Sequence, residues 1–100
     1  PMPADDLARL KADIGTLQGN IALFADCLGG GDDAGQAELL AELAPGLEEA
    51  RPRVVALLEG GEVDDEALMA QLLQVHEDLS QALDRYTRRS QGLPDEPPAP

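Results

Sequence analysis

The stretch DEALMAQLLQVHEDLSQALDRY, residues 65–86, decides the fold. Its apolar residues Leu68, Leu72, Val75, Leu79, Ala82 and Tyr86 recur at alternating spacings of four and three. That spacing sets them along one seam of an α-helix. Asp64 or Asp65 can serve as N-cap, with Glu66 in an acidic first turn, and the helix should run over about 65–90, before Gly92 and Pro94. Met69 and Leu73 are left over beside the seam, four apart, with Glu77 at the end of their strip.

The same reading extends upstream. Leu7, Leu10, Ile14, Leu17, Ile21, Phe24 and Leu28 form a first seam, and Leu40, Leu43, Leu47, Ala50, Val54 and Leu57 a second. The first helix is expected over about 5–28, with Asp5 as N-cap and Gly29-Gly30-Gly31 ending it. The second is expected over about 36–59, capped by Asp32 or Asp33 and ended by Gly60-Gly61. Its seam passes through Pro45-Gly46 and Pro52. Proline inside a helix removes a backbone hydrogen bond and clashes with the preceding turn, so a kink or break is expected near residues 44–46 and a milder bend near Pro52. Strand formers nowhere alternate over a useful length. Short links favour an all-α, up-down-up antiparallel three-helix bundle over residues 5–91. Residues 1–4 read as a leader, and 92–100 as an acidic, proline-rich tail expected to be disordered.

Composition narrows the function. The net charge of −13 repels a nucleic-acid backbone, so no nucleic-acid partner is expected. Direct docking to an anionic membrane is disfavoured too. The local exception is Arg85, Arg88 and Arg89, which either complement the dipole at the end of the third helix or contact a phosphoinositide or acidic partner. One cysteine permits no internal disulfide, and no signal peptide or membrane-spanning run is visible. The chain reads as a domain cut from a longer protein.

No catalytic chemistry is expected. Cys27 and His76 lack a third orienting group, and the ligands of a zinc site are too few. Gly29-Gly30-Gly31 follows a helix rather than a strand and lacks the lysine of a phosphate loop. No cofactor or metal is therefore expected. What remains are the apolar residues outside the seams. Leu23 and Cys27, four apart, form a strip on the first helix, and an antiparallel turn brings Leu39 near it. Met69 and Leu73 form the other strip. Val55, Leu58 and Leu83 are also outside the seams. Leu23, Cys27, Leu39, Met69 and Leu73 either widen the core or line a shallow groove for a partner's apolar patch, with Glu42 and Glu77 as an acidic rim.

Residues 65–86 resemble the last helix of the GAT domain, a module of the GGA clathrin adaptors and the target-of-Myb family. Leu72-Leu73-Gln74, Glu77-Asp78-Leu79 and Tyr86 carry the resemblance. Gly19-Asn20-Ile21 through Leu28 looks like the family's first helix, and Arg51-Pro52 like the GGA version of the middle helix. The resemblance spans about residues 5–91. It implies a cytosolic, non-enzymatic sorting adaptor, peripheral to trans-Golgi network and endosome membranes and attached only through its parent protein. It implies binding of ubiquitin through ubiquitin's apolar patch, for the sorting of ubiquitinated cargo. One ubiquitin site falls on Leu23, Cys27, Leu39 and Glu42, the other on Met69, Leu73 and Glu77. It also implies helical, coiled-coil endosomal partners such as rabaptin-like proteins, an alternative in which the bundle is chiefly a scaffold; a purely structural bundle is the other alternative. The chain departs from the pattern at Pro45-Gly46, where the family's helix is continuous, and at Cys27, where a larger residue such as Met is usual. The Arf-binding hook that precedes the bundle in GGA proteins is not in this sequence, so no Arf binding is expected of it.

Overall fold

A computed structural model of the chain describes residues 3–29 and 34–92, which form three helices: α1 (Ala4–Gly29), α2 (Ala34–Glu59) and α3 (Glu66–Ser90). Each helix packs on the other two, making an all-α three-helix bundle, with no strand among the described residues. The direction of each helix follows from its link or its cross-helix pairs. Only four residues separate the end of α1 at Gly29 from the start of α2 at Ala34, and the two helices pack side by side, so they run antiparallel. Between α1 and α3 the pairs ascend together. Lys11 Nζ lies 3.7 Å from Asp65 Oδ2, Gln71 Nε2 donates to Gln18 Oε1 at 3.0 Å, and Arg89 Nη1 donates to the Leu28 carbonyl at 2.8 Å. The bundle therefore runs up, down and up.

The core follows the seams. Ile14, Ile21, Phe24 and Leu28 of α1 meet Leu40, Leu47 and Val54 of α2 and Leu68, Leu72, Val75, Leu79 and Ala82 of α3. Phe24 stacks at a tilt on Tyr86, with ring centroids 5.4 Å apart, the favoured geometry for an aromatic pair. Cys27, Ala44, Val63 and Leu83 enlarge this core from outside the seams.

The helix ends differ in part from the expectations. The Pro3 carbonyl accepts the Leu7 N–H at 2.9 Å, so α1 begins ahead of Asp5, which lies inside the first turn instead of capping it. At α3, Asp65 is the N-cap: its Oδ1 accepts the N–H groups of Ala67 and Leu68 at 2.9 and 3.2 Å. Its carboxyl is held below the ordinary value, chiefly by the Leu68 hydrogen bond; desolvation opposes this, and the Ala67 hydrogen bond and the Lys11 ammonium add to the lowering. Gly61 takes the left-handed turn after α2 at φ 71°. The expected cap at Asp32 or Asp33, the Gly30-Gly31 stop, the first two residues of the leader and the tail from residue 93 lie outside the described residues.

The expected break at 44–46 is absent: α2 is continuous through Pro45 and Pro52. The carbonyls that lose a donor belong to Ala41 and Glu48, both exposed residues, where water can replace the missing N–H. Leu40, Ala44 and Leu47 are buried on either side of Pro45 and hold the neighbouring turns to the core.

Candidate protein-docking site

Adjacent leucines on α3 have opposite fates. Leu72 is 0% exposed and Leu73 is 58% exposed, because one residue of helix rotates the side chain by about 100°. Met69, half-buried against the core, and the exposed Glu77 lie one turn before and after Leu73. Ser80, on the same flank, accepts at its carbonyl a hydrogen bond from Arg51 Nη2 of α2 at 3.2 Å. The Met69–Leu73–Glu77 strip therefore borders the groove between α2 and α3. Val55 and Leu58, half-buried, follow Arg51 by one and two turns and lie on the opposite wall. These two were not among the candidate residues; their signal was apolar spacing in step with Arg51, which reads as a groove wall only once Arg51 is seen to reach α3.

The other strip borders the groove between α1 and α2. Leu23 is 44% exposed, one turn from Asn20, which lines the α1–α2 cavity. Leu39 is half-buried against the core and Glu42 is exposed. Cys27 is only 7% exposed and belongs to the core. Its short side chain adds to core packing and offers little area to a partner. Among the described residues the exposed large apolar side chains are Leu23 and Leu73, one in each strip.

The strips are fringed by carboxylates. Glu77 accepts a hydrogen bond from Gln81 at 3.4 Å and remains exposed, and Asp78 accepts one from Gln74 at 3.0 Å. The arginines at the end of α3 all have partners. Arg88 Nε donates to Asp84 Oδ2 at 3.1 Å, Arg89 closes the last turn of α1 at Leu28, and Arg85 also has a partner. This favours the structural role of that cluster over a lipid contact. Among the described residues no group of His, Cys, Asp or Glu could hold a metal ion, and no helix is long and apolar enough to cross a membrane.

The arrangement suits docking of a protein surface with an apolar centre and a basic edge. A family model described as GAT domain matches residues 18–92. No curated protein and no solved structure matches the chain.

Proposed function

The chain belongs to the GAT domain family, a helical adaptor-type module for protein–protein interaction, and from that premise we propose that it binds ubiquitin on cargo proteins sorted at trans-Golgi network and endosome membranes. The observation that carries this reading is the exposure of Leu23 and Leu73 beside carboxylates on a soluble-type helical surface. Leaving a leucine in water forgoes roughly 1.5–3 kcal/mol relative to burial, which a partner's apolar patch recovers on docking. Glu77 on one strip and Glu42 on the other pair with basic residues around ubiquitin's patch. They set orientation and encounter rate more than affinity. Cys27 takes no direct part; Leu23, Leu39 and Glu42 form the contact surface on the α1–α2 side. Each contact is small, below about 1,200 Å² in total, and weak singly. Linked sites on a membrane raise the effective affinity by about 10²–10⁴.

The test is a titration of ¹⁵N-labelled protein with ubiquitin, read by amide shifts. Shifts at Met69, Leu73 and Glu77, weakened at least about tenfold by Leu73→Ala in a folded protein, are expected. The absence of any shift at millimolar ubiquitin would refute the proposal.

A further inference from the structure

The chain's single histidine, His76, lies on α3 two turns after Met69, three residues after Leu73 and one turn before Ser80. Residues at these spacings share one face of a helix, so the imidazole stands on the flank that carries the Met69–Leu73–Glu77 strip. It is half-buried, and it makes no hydrogen bond or ion pair among the described residues. Its ring nitrogens are still reached by solvent, because the fully buried polar atoms without a partner among the described residues are Gln36 Oε1 and Arg51 Nε. An uncommitted ring at this place meets whatever is laid on the strip.

The charges around His76 fix the sign of its effect. On α3, the exposed Glu77 follows it directly, and Asp65 lies about three turns before it, beyond Met69. From α2, Arg51 reaches the Ser80 carbonyl one turn along, and the half-buried Val55 and Leu58 form the apolar wall. The exposed Glu48 and Glu59 stand three residues before Arg51 and four after Val55. α1 packs on the other flank of α3, where Asp78 and Arg85 line a cavity with Gln18 and Ala22.

We propose that His76 is a contact residue of the α3 strip and makes docking of ubiquitin there weaken as pH falls. This rests on the ubiquitin reading above and adds to it a residue and a regulation. Histidine is the side chain whose charge changes between about pH 5 and 8. The neutral ring packs beside Leu73 and offers a hydrogen bond to the docked surface. The imidazolium repels the basic edge of that surface. It also offsets Glu77, Glu48 and Glu59, the carboxylates that attract the edge, and it adds to the positive charge of Arg51. Covering a charged ring with a partner costs desolvation as well. All three effects oppose docking. The carboxylates alter the pH at which the change occurs, not its direction.

The test repeats the ubiquitin titration from about pH 8 to about pH 5.5 on the ¹⁵N-labelled protein and on its His76→Asn and His76→Gln variants, whose side chains stay polar and uncharged. Groups that titrate on ubiquitin act on all three proteins alike, so a difference between the profiles belongs to His76. Circular dichroism checks the fold at each pH. At the amides of Met69, Leu73 and Glu77, the parent is expected to lose about threefold to tenfold more affinity on acidification than either variant. The amides of Leu23 and Leu39, on the strip without a histidine, should show the same profile in all three proteins. By linkage, saturating ubiquitin should move the midpoint of His76's own imidazole titration to lower pH. The labelled chain holds no other histidine, so that signal is read without overlap. Parallel profiles for parent and variants, or an imidazole midpoint that ubiquitin leaves unmoved or raises, would overturn the proposal and leave ubiquitin binding standing. The absence of shifts at Met69, Leu73 and Glu77 at every pH would overturn both.

Discussion

Leu72→Ala and Leu73→Ala remove the same atoms from neighbouring positions, and the structure assigns them different costs. Leu72 is 0% exposed and sits among Leu68, Val75 and Leu79 of its own seam. Truncating it loses the full transfer energy and leaves a cavity, about 3–5 kcal/mol together. Leu73 is 58% exposed, so about two-fifths of its surface is covered. That fraction of the roughly 1.5–3 kcal/mol for complete burial is about 0.6–1.2 kcal/mol, and alanine's helix propensity returns a little, leaving about 1 kcal/mol at most. In a domain of this size 1 kcal/mol moves the melting temperature by about 4–8 °C. Leu72→Ala should therefore melt at least about 12 °C below the parent protein and Leu73→Ala less than about 8 °C below it, as read by circular dichroism and urea denaturation. The ubiquitin titration should invert the order of interest: the mild Leu73→Ala variant loses the binding. Equal destabilisation by the two variants would show that the α3 face is assigned wrongly, and the docking argument would go with it.

Further predictions concern the helix ends and turns. Gly46 lies inside α2, and a Cβ there meets nothing within 4 Å, so Gly46→Ala should stabilise by about 0.5–1 kcal/mol in urea denaturation. Gly61 has φ 71°, and Gly61→Ala should destabilise by about 1–2 kcal/mol in the same assay. Asp65 has a folded pKa below its ordinary 3.8, so the folded state binds its proton less readily than the unfolded chain. Its contribution is present above that ordinary value and lost as pH falls through the lowered one. The stability gap between the parent and Asp65→Asn should therefore be constant near neutrality and shrink below about pH 4 in acid titration. Buried Cys27 should react with a thiol reagent at the rate of unfolding, rising as denaturant is added.

The seams were legible because each repeats over six or seven positions, and their residues are all buried or half-buried in the bundle. Single residues were less legible. The Pro45 expectation rested on the local cost of proline, and neither the burial of Leu40, Ala44 and Leu47 nor the solvent access of the Ala41 carbonyl is written locally. Val63 belongs to no periodic run, so nothing marked it as a core residue in the link before α3. Subtracting the seams from the chain isolated Leu23 and Leu73, which are exposed, and also Cys27, which is not. Residues about 100° from a seam can fall on either side of a helix contact, and the neighbouring helix decides which.

The odd number of helices has a mechanical consequence. Because α1 and α3 ascend together, Ala4 and Ser90 stand at opposite poles of the bundle, about one helix length or 40 Å apart. Whatever is joined before α1 is thereby held away from whatever is joined after α3. The side grooves lie between these two poles. A pull along the chain loads the helices lengthwise, leaving the grooves open to a partner approaching from the flank.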